Sequence, residues 1–480
     1  MQTVSRTMKK FFFSVLIILF SIQQIVVQTG CANIIPPSGG PRDSLPPVLI
    51  KATPVDSAKN FTANKITFTF DEFVDVQNVY QNLIVSPTLN LIPDVEPKLK
   101  TITVRLKDTL EPNTTYTLNF GNAIKDYNEG NVLKNFTYIF STGNTIDSLQ
   151  LKGKVVLAET GGIDSTLTVM LFKNGGDSAV VNEKPRYISK LDNSGDFNFR
   201  NLPAGTFYLY ALKADVSRNY TNKKQLFAFA EKPIVISRST QPDTLYAYSE
   251  ISPQQESAQQ SITPVKKNLS GTADKRLRFT TNLSDNKQDL LNDLIISFDQ
   301  PLRSFDSSKI KFSSDSTFNP INNYSWEKDT TGKKLRLITS WKENTVYHLI
   351  IDKDFAEDSL GRKLLKTDTL TFTARGKNEY GQLKIGFRNL DLSTNPILLF
   401  VQNNEIKRSF PLNSADFLQT LFLPGDYDLR ILNDTNKNGK WDPGEFFGKH
   451  KQPEIVKPID RKITIKPNWE NEFEIDAAAH

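Results

Sequence analysis

Residues 434–445 hold the densest set of oxygen donors at fixed spacing in the chain. Asp434, Asn436, Asn438, Gly439, Lys440, Asp442 and Glu445 fit the pattern D-x-[DN]-x-[DN]-G-x5-E in register. A hard cation such as calcium takes six to eight oxygens, and this spacing supplies them. Asp434, Asn436 and Asn438 offer side-chain oxygens, Lys440 its backbone carbonyl, Asp442 a carboxylate direct or through water, and Glu445 both of its oxygens. Gly439 permits the bend. The flanking sequence is strand-like, so the expectation is a structural staple of Ca2+ across a long loop. The alternative is a metal-free turn rich in Asn and Gly. A second cluster, from Asp192 to Asp196, has no closing Glu and is expected to be a turn.

Other chemistry is sparse. The chain has three histidines, His348, His450 and His480, and one cysteine, Cys31. An intrachain disulfide and a thiol zinc cluster are therefore excluded. No His lies in a pattern suggesting a nucleophile and base, and no phosphate-cradling glycine motif occurs. The catalytic set expected is none. Trp326, Trp341, Trp441 and Trp469 could build a sugar-stacking platform or pack as strand core. The formal charge is +6, falling to +3 without Arg6, Lys9 and Lys10 of the leader, and no basic patch points to nucleic acid.

The lone cysteine stands where it can be modified. Lys9 and Lys10 precede an apolar stretch, Phe11 to Phe20, too short to cross a bilayer, and Gly30 precedes Cys31. Residues 1–30 read as an export signal. The sequence from Thr29 to Ala32 resembles a lipobox, which implies a covalent lipid on Cys31 as anchor. Residues 31–47, rich in Pro and Gly, form a tether.

These features must be positioned by strands. Ile66, Phe68 and Phe70 alternate with Thr67 and Thr69; Ile102, Val104 and Leu106 alternate likewise, as do Tyr116, Leu118 and Phe120. Each set gives a sheet one apolar face. Two repeats run through the chain. Leu110 to Leu118 matches Trp341 to Leu349, and Asp126 to Asn131 matches Asp358 to Arg362. Leu202, Pro203 and Gly205 before Phe207 match Leu423, Pro424 and Gly425 before Tyr427, a tight reversal between strands. The expected class is all-β: tandem Ig-like β-sandwiches in an A-B-A′-B′ order. The divisions are 48–143 (A), 149–248 (B), 277–376 (A′) and 380–476 (B′). Residues 249–276 form a linker and residues 477–480 a tag remnant.

The A units resemble SbsA-type bacterial Ig-like domains, through Pro46-Pro47-Val48, the strand Ile66 to Asp71, the strand entry Pro112 to Leu118 and the ending Phe140 to Gly143. The B units resemble carboxypeptidase-regulatory or prealbumin-like sandwiches, through Ser194 to Phe199 and Leu202 to Leu209. With Cys31, the whole is similar to outer-membrane lipoproteins of Bacteroidetes. The resemblance implies an elongated, lipid-anchored structural or interaction subunit of the outer membrane. Its expected partner is an outer-membrane barrel protein or an envelope complex for insertion, secretion or uptake. A surface adhesin or glycan-binding lipoprotein is the alternative, and a hydrolase the third option. Sidedness in the membrane stays open.

Overall fold

The computed structural model describes residues 10–19, 42–213, 219–251, 276–314 and 320–478. Residues 10–19 are helical, and among the described residues no helix is long and apolar enough to cross a membrane. Cys31, most of the tether, most of the linker and His480 lie outside the described residues.

Strands dominate because the Thr-separated apolar alternations do bury one face. Ile66, Phe68, Phe70, Ile102, Val104, Tyr116, Leu118 and Phe120 are all core residues, whereas Thr67 and Thr69 stay half-exposed. In the first module one sheet runs in the order Leu49–Thr53, Lys65–Phe70, Thr101–Arg105, Asp94–Lys98. The facing sheet contains Ile84–Ser86, Thr115–Asn119 and Thr137–Ser141. The third module repeats the first sheet with Phe279–Thr281, Leu294–Phe298, Lys334–Ile338 and Ser325–Lys328. The same internal lock recurs in both. The Tyr116 hydroxyl accepts the Glu111 N–H at 2.9 Å, and the Tyr347 hydroxyl accepts the Lys342 N–H at 2.9 Å. Such a tyrosine corner fixes the strand entry against its own upstream backbone.

The second and fourth modules share a different plan. Leu149–Leu157 lies between Asp196–Leu202, antiparallel, and Asp243–Ala247, parallel; Gly381–Arg388 lies likewise between Asp416–Phe422 and Glu470–Asp476. The reversals at Pro203 and Pro424 carry the chain across the sandwich, since the strands on either side belong to opposite sheets.

The chain is not an extended string. Strands Thr168–Phe172 and Pro396–Gln402 are buried on both faces. Each module thus has an inner core and a second core on its outer face. The outer core of the second module includes Phe446, a residue of the fourth. The two modules are packed together, so the elongated shape expected from the sequence gives way to a chain folded back on itself.

Candidate functional site

The loop between strands Gly425–Asn433 and Val456–Ile465 builds this joint. Its first half is the Asp/Asn segment. Buried Asp434 accepts the Gly439 N–H at 2.8 Å and the Asn438 N–H at 3.2 Å. Gly439 takes φ +78° there, a conformation cheap only for glycine. The side-chain oxygens of Asn436 and Asn438 accept the N–H groups of Asn438 (3.1 Å) and Lys440 (2.8 Å). Their amide nitrogens both donate to one oxygen of Asp442, that of Asn438 at 2.7 Å. The structure therefore brings Asp434, Asn436, Asn438 and Asp442 together around one bend.

Glu445 is not among them. Its carboxylate pairs with Lys449 at 2.8 Å, which holds its pKa below the usual range, and its backbone bridges to Lys451. A residue the motif did not predict serves the loop instead. Glu454, only 4% exposed, accepts the Thr435 N–H and hydroxyl, both at 2.8 Å, and the Asp442 N–H at 3.1 Å. Trp441 donates its indole N–H to the Glu454 carbonyl at 2.7 Å and packs on the outer cores of both the fourth and the second modules. The oxygen donors fit a hard cation in kind. The Asn436 and Asn438 amides both hydrogen-bond the Asp442 carboxylate, so four of the donor residues already converge on one bend.

The second half of the loop is a plug. Phe446, 1% exposed, sits among Tyr210, Tyr220, Phe227 and Phe229, with ring centroids 4.9–6.4 Å away. Phe447 stacks on Tyr220 at 5.4 Å and 11°. His450 lies flat on Phe446 at 4.9 Å and 4°, and its Nε2 meets Asp177 Oδ1 at 2.5 Å. Asp177 also accepts the Gly448 N–H at 2.8 Å, and these two bonds lower its pKa. The Val456 N–H donates to the Ala158 carbonyl at 2.8 Å, and Gln452 donates to the Phe229 carbonyl at 3.0 Å. The floor of the socket is so dry that burial raises the pKa of Tyr210 to about 12.

The joints within each pair use charge rather than rings. Arg186 of the second module grips Glu111 of the first with two parallel N–H bonds, one of 2.6 Å, which lowers the Glu111 pKa. Arg408 of the fourth module reaches Asp289 of the third at 2.5 Å and Asn292 at 3.0 Å. Such forks are strong and directional. Beside the first clamp a cleft of about 1050 Å³ opens between the first two modules, lined by Asn82, Asn119, Asn135, Asn198, Thr117 and Thr137 among others.

The remaining candidate residues are dispersed. His348 Nδ1 meets the Thr371 hydroxyl at 3.1 Å across two strands. Trp326 and Trp341 pack on the third core, Trp441 on the outer cores of the fourth and second modules, and Trp469 is 62% exposed beneath Lys466. The turn at Asp192 is held by its own carboxylate, which accepts the N–H groups of Ser194 and Asp196. Among the described residues, one trio of acidic or imidazole side chains gathers its ligand atoms within 4.8 Å: Glu72, Asp126 and Glu129.

Residues 43–142 match the bacterial Ig-like domain family Big_5. That match covers the first module alone. No curated protein matches the chain. Among solved structures the chain is similar to the TIE protein of Bacillus anthracis (12% identity, 92% of this chain, 76% of that one, TM-score 0.18). It is also similar to the N-terminal part of the bacterial S-layer protein SbsC (18% identity, 41% and 42% covered, TM-score 0.16). A third is BcpA, the major pilin subunit of Bacillus cereus (9% identity, 69% and 99% covered, TM-score 0.17). Scores this low carry no functional inference.

Proposed function

We propose that this chain is a structural and interaction protein of the cell envelope, held in the outer membrane by a lipid on Cys31. Its four modules, braced on one another, present sheet edges and loops to a barrel protein or an envelope complex. The Bacteroidetes lipoproteins it resembles suit this reading. The observation that carries it is where the reactive side chains are used. Arg186 with Glu111, Arg408 with Asp289, and His450 with Asp177 each join two modules. Groups that could have served catalysis hold a rigid platform together. We further propose that Asp434, Asn436, Asn438 and Asp442, with the Lys440 carbonyl, hold Ca2+ as a structural ion that stiffens the first half of the docking loop.

Extraction of native membranes in mild detergent tests the main reading. Co-purification with a barrel protein in fixed ratio is the expected outcome. A chain that comes out alone, with an unmodified Cys31 thiol by intact mass, would sink it. The cleft between the first two modules, lined by apolar, amide, hydroxyl and charged side chains together, is where a second reading, a glycan-binding adhesin, would place its ligand. That reading requires polysaccharide to be retained in the same extraction.

A further inference from the structure

The first and third modules are duplicates, yet they differ sharply at one pole. Equivalent hydrogen bonds fix the correspondence. Val74 N–H donates to the Leu99 carbonyl at 3.0 Å, as Leu302 N–H does to Gly332 at 2.8 Å. Tyr127 N–H donates to the Phe73 carbonyl at 2.9 Å, as Ser359 N–H does to Pro301 at 2.9 Å. The first module thus carries Phe73, Leu99 and Tyr127 where its duplicate carries Pro301, Gly332 and Ser359.

All three side chains face solvent: Phe73 is 44% exposed, Leu99 69% and Tyr127 72%. Leu99 stands at φ +55°, against +69° for Gly332. A left-handed backbone costs a leucine what it does not cost a glycine. An exposed leucine gains no packing in return within the chain. Strain held without internal compensation points to a task outside it.

The N-terminal segment lies on the same pole. Arg42 donates to the Glu129 carbonyl at 3.1 Å, Asn131 donates to the Asp43 carbonyl at 3.1 Å, and Val48 N–H donates to Asp71 at 2.8 Å. Two more exposed apolar side chains, Leu45 and Val48, join the patch. Cys31 stands eleven residues before Arg42, a span of at most roughly 40 Å.

We propose that this pole rests in the interfacial layer of the lipid bilayer, with Phe73, Leu99 and Tyr127 inserted among the headgroups. The choice of lipid over protein rests on the reading of Cys31 as the anchor, which ties the pole to the surface. Aromatic rings and a long aliphatic chain on loop tips suit that layer. Lys100, its ammonium 5.8 Å from the Phe73 ring centre and donating to the Asp71 carbonyl at 2.6 Å, holds a cation beside the patch and keeps further N–H donors for a phosphate. Asp43, Asp71, Glu72, Asp126 and Glu129 stand nearby, so the face should favour lipid without net charge. Asp126 is already satisfied by the N–H groups of Glu129, Gly130 and Asn131.

The test is flotation of the exported chain, from residue 31 onward and with Cys31→Ser so that no acyl chain contributes. The vesicles are phosphatidylcholine with phosphatidylethanolamine, then the same with added phosphatidylglycerol. The expected result is partition to neutral vesicles that weakens as phosphatidylglycerol rises. It should fall at least tenfold when Phe73→Pro, Leu99→Gly and Tyr127→Ser graft in the third module's residues. Leu99→Gly alone should lower partition while raising the melting temperature, which separates lost binding from lost folding. Flotation unchanged by the graft, or absent from the outset, overturns the proposal. So does a graft that abolishes capture of a native membrane protein while leaving flotation intact. Intact mass of the unsubstituted exported chain reports on Cys31 separately. An unmodified thiol with normal flotation removes the anchor and leaves the pole.

Discussion

The second and fourth modules cover the same outer sheet face in opposite ways. The fourth closes its face with its own Trp441, over Ile397, Leu399, Val401, Leu432 and Val456, and the same ring also packs on the second module's outer core. The second leaves Met170, Phe172, Tyr210, Leu212 and Phe229 to be capped partly by its own Tyr220 and partly by Phe446 from the fourth. Trp441 and Phe446 stand five residues apart in one loop. A duplicated sandwich has thus diverged into a socket and a plug, and one segment seals both cores. The difference teaches that the Asp/Asn half of the loop braces its own module and lends Trp441 to the seam, while its aromatic half seats in the other module.

That contrast can be broken most forcefully at the plug. Phe446→Ala should cost about 3 kcal/mol, as for other buried Phe truncations. Calorimetry should then resolve separate transitions for the two halves, whereas Trp441→Ala, at the seam of both outer cores, should lower the stability of both modules. One unaltered cooperative transition after Phe446→Ala would contradict the assignment. Next come the charged clamps. Arg408→Met removes the only cation that reaches Asp289 among the described ion pairs. The Asp289 side chain is 12% exposed but keeps bonds from Leu291, Asn292 and Tyr380, so the change should cost about 2 kcal/mol in urea titrations. Arg186→Met leaves a Glu111 side chain that is 51% exposed, and about 1 kcal/mol should be lost.

Calcium sharpens the distinction between the two halves of the loop. At a concentration about five times its Kd it should add about 1 kcal/mol to the melting of the fourth module, reversed by chelator and absent in Asp442→Ala. The smallest effect is pH. Asp177 has a lowered pKa from its bonds to His450 and Gly448. Its contribution is present above the unfolded value near 4 and lost as pH falls through the lowered folded value. With Asp177 partly exposed this amounts to about 0.5 kcal/mol. It should be visible as acid-induced separation of the modules, by fluorescence transfer across the joint, that Asp177→Asn removes.

The sandwich class was legible because the Thr-separated alternations of Ile66 to Phe70 and Tyr116 to Phe120 leave no other way to bury one face. The docking was not read, although a signal existed. Val169 to Phe172 and Ile397 to Val401 run apolar without interruption, the mark of a strand covered on both faces. The Asp/Asn bend could be placed from spacing. Its service by Glu454 rather than Glu445 could not, because Glu454 arrives from nine residues beyond the motif and is turned inward by the return to strand Val456–Ile465. Pairs such as Arg186 with Glu111 are spatial, and no periodicity announces them.

Residues 252–275 connect the two halves covalently, and their 24 residues can extend to roughly 80 Å. The Phe446 joint is therefore a non-covalent bond between the two halves, and a force that separates them loads aromatic contacts before backbone. Such ring contacts open at lower load than a β-ladder, so the joint can part and re-form while the chain stays covalently whole. The aromatic plug is in that sense a resettable mechanical fuse.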